Sequence, residues 1–343
     1  RCRNCRGRAG YSFLIPGDTA MPAKDFIGLT GPEYEMDVER GRIRDFAKAM
    51  SAPLPEFTTN RNPVIPATFL VTTPYTWGYS LERPRGTVFS QIDHDLSVPL
   101  HAEEAFIFHR EPPRGGDQFN CRTILEDVTS KSGGRGGDLT FLTMLTEYRN
   151  PAGELVVEQR SVTVTTGRSP TEGGWAVTLP PYEPDYPGID PVDIFTDVAR
   201  MSWEDLAEGE GPQLVNAGPL MLRDIVRFQG VVGEDNALHH DTVWAQRFGY
   251  PAVFGLGTHQ ASMISGYAAH WLDPCAVRGF RVRFRCVYWP GDEIHYKGEV
   301  VRKFIDTDTG HRRAELALRC LKPDGETIMD AQMTMDFGRG ADL

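Results

Sequence analysis

The segment from Phe228, FQGVVGEDNALHHDTVWAQRFGYPAVFGLGTHQ, places two carboxylates close to an imidazole: Glu234 and Asp235 lie five and four residues before His239. A carboxylate and an imidazole that share one water can take a proton from it and deliver a proton elsewhere, which is general acid–base chemistry. Residue type alone does not assign that role. A lone histidine is more often a structural or surface residue, and only placement beside a partner makes it an acid or base. Glu234 reads equally well as a plain loop carboxylate. Asn236 reads as the maker of an Asx-turn, and His240 and Asp241 as capping or solvent-facing residues.

Other combinations carry less. His94 and His101 lie in the acidic stretch IDHDLSVPLHAEE. Histidine and carboxylate are metal ligands, but this spacing fits no compact ligand pattern. Cys2 and Cys5 form a C-x-x-C inside RCRNCRGRAG, with no second pair to complete a tetrahedral zinc site. Cys121, Cys275, Cys286 and Cys320 are scattered singly, which suits a reducing, cytoplasmic setting. No G-x-S-x-G, no G-x-x-x-x-G-K-[ST] and no G-x-G-x-x-G after a strand is present. Nicotinamide cofactors and nucleotide hydrolysis are therefore not expected. The formal net charge of −11 disfavours nucleic acid and anionic membrane as partners. No run approaches the roughly 18 apolar residues of a bilayer span.

The elements that must position these residues come in two similar sets. A chain of 343 residues, 40 % hydrophobic and 24 % charged, suits two domains of ordinary size. Residues 1–20 precede Met21, a plausible true start, and stand outside the fold argument. In the first half, residues 21–166, Val38, Ile43, Phe46, Ala47 and Met50 recur at helical spacing. The runs 105–109, 119–125, 139–148 and 155–166 are rich in β-branched and aromatic residues and read as strands, separated by PPRGGD, SGGRGGD and NPAGE. Residues 167–190, dense in Pro, Gly and acidic residues, read as the linker. The second half, 191–343, predicts a helix over 258–271 and strands over 280–287, 293–303, 313–321 and 327–337. PATF at 66–69 mirrors PAVF at 251–254, and Gly116-Asp117 mirrors Gly291-Asp292. A helix followed by an antiparallel sheet in each half fits an α+β domain whose sheet wraps one helix.

The Phe228 segment also resembles the hydratase motif of the MaoC-like family, in which S-G-D-x-N-P-L-H-x-D precedes an alanine-bearing helix, G-x-P and a histidine–glycine pair. Gly233, Asn236, Leu238, His239, Asp241, Ala245, Gly249, Pro251 and Gly257 fall in register. Glu234 stands at the family's aspartate, Val232 at its serine, Ala237 at its proline and Leu256 at its histidine before glycine. The stretch FIGLTGPEYEMDVERGRIRDFA resembles the N-terminal domain of fused, FAS1-like dehydratases. The resemblance implies a double hot-dog, two tandem antiparallel sheets each wrapping a central helix. It implies hydration and dehydration of 2-enoyl and (R)-3-hydroxyacyl thioesters, on coenzyme A or an acyl carrier protein, with coenzyme A as part of the substrate and no other cofactor or metal. By that analogy His239 and Glu234 are the acid/base pair, with Asp235 as the alternative carboxylate. Asn236 orients substrate or water, and Gly257 with Thr258 forms the oxyanion hole.

Aligned by the preceding helix and the following PATF, Ala52 takes the acid position and Phe57 the histidine position in the first half, so that half has lost its site. It could still wall an acyl tunnel through Phe69, Tyr75 and Trp77, residues that read equally as core aromatics. Arg281, Arg283 and Arg285 alternate with apolar residues and share one strand face. They fit either the phosphates of coenzyme A or a solvated surface. A homodimer is plausible. A catalytically degenerate acyl-thioester-binding protein, a partner subunit and a thioesterase remain open alternatives.

Overall fold

The computed structural model describes residues 23–79, 87–92, 100–132, 138–166, 178–183 and 192–339. The first half holds β1 (Tyr34–Asp37), α1 (Arg40–Ala49), α2 (Pro55–Thr58), α3 (Thr73–Thr76), β2 (Leu100–Phe108), β3 (Gln118–Ser132), β4 (Asp138–Arg149) and β5 (Leu155–Thr166). The second holds β6 (Val215–Pro219), α4 (Leu222–Val232), α5 (Thr242–Arg247), α6 (Gly257–Trp271), β7 (Val277–Phe284), β8 (Glu293–Ile305), β9 (His311–Leu321) and β10 (Thr327–Arg339). Residues 1–20, His94 and all of the linker except 178–183 lie outside the described residues.

The strand order is β1-β3-β4-β5-β2-β7-β10-β9-β8-β6. Read outward from the middle, the two halves repeat one topology, with β2 matching β7, β5 matching β10 and so on to β1 and β6. This is the α+β double hot-dog that the sequence predicts. The two sheets are not separate, however. Antiparallel pairing of β2 with β7, from Glu103 opposite Arg283 to Ile107 opposite Gly279, joins them into one ten-stranded sheet among the described residues. That pairing removes two exposed edges, each a row of unpaired backbone groups. The short repeats are structural as well. Gly116 and Gly291 both adopt positive φ, 103° and 94°, which a side chain would strain. The aspartate after each accepts a backbone N–H three residues back, from Arg114 (2.8 Å) and Trp289 (2.7 Å).

The central helix exists at full length only in the second half. α6 packs on β8 and β9, and every residue from His259 to Trp271 is buried. A helix surrounded on all sides needs internal partners for its polar groups. Gln260 accepts from the Tyr296 hydroxyl (2.5 Å), Ser262 accepts from Thr68 (2.8 Å), and His270 Nε2 lies 3.0 Å from Asp193. In the first half the corresponding stretch is a 3-10 turn, Phe69–Thr72, followed by the single turn α3. Helices α1 and α4 pack together through Phe46 and Phe228, whose ring centroids are 5.5 Å apart. Among the described residues no helix is long and apolar enough to cross a membrane.

Candidate active site

Helix α4 delivers the acid–base loop. Ile225, Phe228, Gln229 and Val232 occupy its buried face at helical spacing. Gly233 ends it in a left-handed conformation, φ 84°, where glycine carries no Cβ penalty. The chain then turns so that Glu234 is buried while Asp235 is exposed. One Glu234 oxygen accepts the Asn236 backbone N–H (2.6 Å) and the other accepts from Gln229 Nε2 (3.1 Å). Asn236 caps the following 3-10 turn, Ala237–His239, its Oδ1 accepting from Leu238 N (3.1 Å), so the Asx-turn reading holds. Asp241 accepts from Trp244 N (3.0 Å) and caps α5. His240 is exposed and donates from Nδ1 to Gln229 Oε1 (2.9 Å).

His239 has its tautomer fixed by geometry. Its Nδ1 lies 2.8 Å from the Phe254 carbonyl, which can only accept, so Nδ1 carries the proton and Nε2 is the basic nitrogen. Desolvation pushes its pKa down to about 4, further lowered by His240 and opposed by the bond to Phe254. The ring is neutral at physiological pH.

Glu234, Asn236, His239, Gly257 and Thr258 all line one cavity of about 420 Å³. Asp235 does not line it, because its position in the loop turns it to solvent, so the carboxylate at the cavity is Glu234. α6 begins at this cavity, one residue earlier than predicted, and Leu256 before it provides no side-chain cap. The first N–H groups of an uncapped helix, with the helix dipole behind them, suit a developing negative charge. Glycine is required on both sides of Leu256. A Cβ on Gly257 would come within 2.9 Å of the Phe284 ring, and one on Gly255 within 1.8 Å of the Tyr288 ring.

Several participants were not singled out from sequence. Tyr288 lines the cavity, and its hydroxyl donates to the Leu256 carbonyl (2.9 Å), tying down the start of α6. Gln229 orients Glu234 and His240 together. A glutamine on the apolar face of an amphipathic helix was the signal for it. His259 lies 3.3 Å from the Tyr288 hydroxyl, and desolvation lowers its pKa to about 3. Of the three candidate tunnel aromatics, Tyr75 lines the cavity, whereas Phe69 is buried core and Trp77 packs against it. Leu100, Leu139, Phe141 and Val164 of the first half complete an apolar wall.

The three alternating arginines divide. Arg281 and Arg283 share Glu103 (2.6 and 2.8 Å) on the exposed sheet face and do not line the cavity, whereas Arg285 lines it while pairing with Asp330 (2.9 Å). Among the described residues no three His, Cys, Asp or Glu side chains gather as a metal site.

Comparison with known proteins agrees with this architecture. Residues 25–159 match the FAS1-like, dehydratase domain region. A UPF0336 protein of Streptomyces avermitilis is 27 % identical over 154 residues, 44 % of this chain and 97 % of that protein. A MaoC-like dehydratase structure superposes with a TM-score of 0.72 at 20 % identity, over 92 % of this chain and 100 % of the other. A MaoC-like dehydratase from Phytophthora capsici gives 0.60 at 16 % identity, over 92 % and 98 % of the two chains. A Mycobacterium tuberculosis protein described as a double hot-dog gives 0.56 at 12 % identity, over 93 % and 99 %. The first half thus resembles a FAS1-like dehydratase region, and the chain has the fold of the MaoC-like dehydratases.

Proposed function

We propose that this double hot-dog protein, with its FAS1-like dehydratase region, catalyses the reversible hydration of 2-enoyl thioesters to (R)-3-hydroxyacyl thioesters. One observation carries the reading: a neutral His239, the Glu234 carboxylate and the uncapped start of α6 meet in a single cavity. In the hydration direction His239 Nε2 takes a proton from a water that Glu234 helps to hold. The water oxygen bonds to the β-carbon, and the acid/base pair returns a proton to the α-carbon, so one water adds across the double bond. Charge that develops on the thioester oxygen is met by the backbone N–H groups of Gly257 and Thr258. Asn236 orients the substrate or the water. The acyl chain lies against the apolar wall of the first half.

Coenzyme A is the carrier assigned here, as part of the substrate, and an acyl carrier protein would present the same thioester. The chemistry needs no redox cofactor and no metal. Hydration of crotonyl-CoA and longer enoyl-CoAs, followed as loss of enoyl absorbance together with free-thiol release, tests the proposal. Loss of enoyl absorbance without thiol release is expected. Thiol release would make the protein a thioesterase. Tight acyl-CoA binding with no turnover would make it a binding protein.

A further inference from the structure

The first half contributes to the cavity wall a histidine, backed by a buried carboxylate, that the acid–base reading leaves unused. In the pairing of β2 with β5, His101 stands opposite Thr163 and Glu103 opposite Val162, so Ala102 is an extra residue, a β-bulge. Strand alternation would put His101 and Glu104, three residues apart, on opposite faces. The bulge returns both to the same face, where His101 Nε2 lies 2.8 Å from Glu104 Oε2. Glu104 is 1 % exposed, and its other oxygen accepts from Gln159 Nε2 (2.8 Å). Gln159 in turn accepts from the Tyr148 hydroxyl (2.5 Å). Ser161 Oγ lies 3.2 Å from the same His101 nitrogen.

The chain of bonds ends at the cavity. His101 lines it with a side chain 27 % exposed, beside the apolar Leu100, Phe141 and Val164. Its ring sits 4.8 Å from that of Phe284, the ring against which Gly257 is seated. A buried carboxylate is costly in a wall that hydrophobic residues would fill more stably. Here it fixes one imidazole against the Phe284 ring, which itself packs on the first residue of α6.

We propose that His101, held by Glu104, is a substrate-binding residue that hydrogen-bonds a polar atom of the acyl thioester. The half that lacks counterparts of Glu234 and His239 thereby supplies the polar contact on its own wall. This rests on the acyl-thioester reading of the cavity.

The test compares wild type with His101→Leu, His101→Gln and Glu104→Gln in crotonyl-CoA hydration and in calorimetric titration with butyryl-CoA, which cannot be hydrated. His101→Leu is expected to raise both KM and the butyryl-CoA Kd about tenfold, with kcat within about threefold and an unchanged melting temperature. His101→Gln keeps a hydrogen-bonding group and recovers part of the loss. Glu104→Gln shifts KM and Kd in the same direction by about threefold. Unchanged KM and Kd in His101→Leu would overturn the proposal. So would a loss that follows a lowered melting temperature and is not recovered by glutamine. If wild type shows no turnover, hydration fails as the function and the Kd series alone decides the role of His101.

Discussion

The two halves of the sheet share a topology and differ where the chemistry would be. In the second half the loop after α4 presents Glu234 and His239 to the cavity. In the first half the turn after α1 presents Ala52 and the single turn α2 presents Phe57, both buried. Ala52 packs so tightly on α6 that a Cβ at Gly266 would lie 2.6 Å from its own. The second half also has the long α6, while its counterpart is a 3-10 turn and a single α turn. The comparison teaches that one half was kept as a support: its loop cradles the partner's central helix, and its strands wall the partner's cavity.

The largest expected effect breaks the half that carries the proposed acid–base pair. His239→Ala lowers kcat/KM for crotonyl-CoA by about 10³-fold, within the usual range for loss of a general acid–base group. Steady-state kinetics reads it, with circular dichroism to establish folding. A smaller effect sharpens the contrast from the other side. Ala52→Glu, which would restore a carboxylate to the silent half, destabilises the protein by about 3 kcal/mol through an unpaired buried charge and creates no second site. Denaturant midpoints measure the loss.

Acidity offers a third probe of the same contrast. With its pKa near 4, His239 keeps its base form at pH 5, so kcat/KM stays level between pH 7 and 5. An imidazole of ordinary pKa would lose about 25-fold over that range. Stability moves differently. The unfolded chain takes up these protons below about pH 6.5, whereas the folded chain resists until about 4 for His239 and about 3 for His259. Their contribution is present above pH 6.5 and is lost as pH falls through that window. The smallest effect is local: Asp241→Ala removes the α5 cap and costs about 1 kcal/mol, readable by thermal melting.

Much of the second half was legible because its signals are short-range. Gly233, Asn236, His239, Asp241 and Gly257 hold their places through turns, caps and a helix start, which spacing along the chain encodes. Eight of the ten strands among the described residues follow from β-branched and aromatic runs, whereas the short edge strands β1 and β6 have no such run and were missed. What escaped depends on distant contacts. The joining of β2 to β7 is an edge pairing between halves, and no alternation pattern announces it. Tyr288 matters through the Leu256 carbonyl, far from it in sequence. His101 reaches the cavity only because Ala102 bulges. The two adjacent carboxylates could not be separated by type, since burial of Glu234 and exposure of Asp235 come from the turn after Gly233.

That separation gives the most direct test of the central claim. Measuring kcat/KM for crotonyl-CoA with Glu234→Gln and Asp235→Asn side by side should show a loss of about 10²-fold for the first and less than about twofold for the second. Full activity in Glu234→Gln, or the large loss in Asp235→Asn instead, would contradict the assignment of Glu234 as the partner of His239.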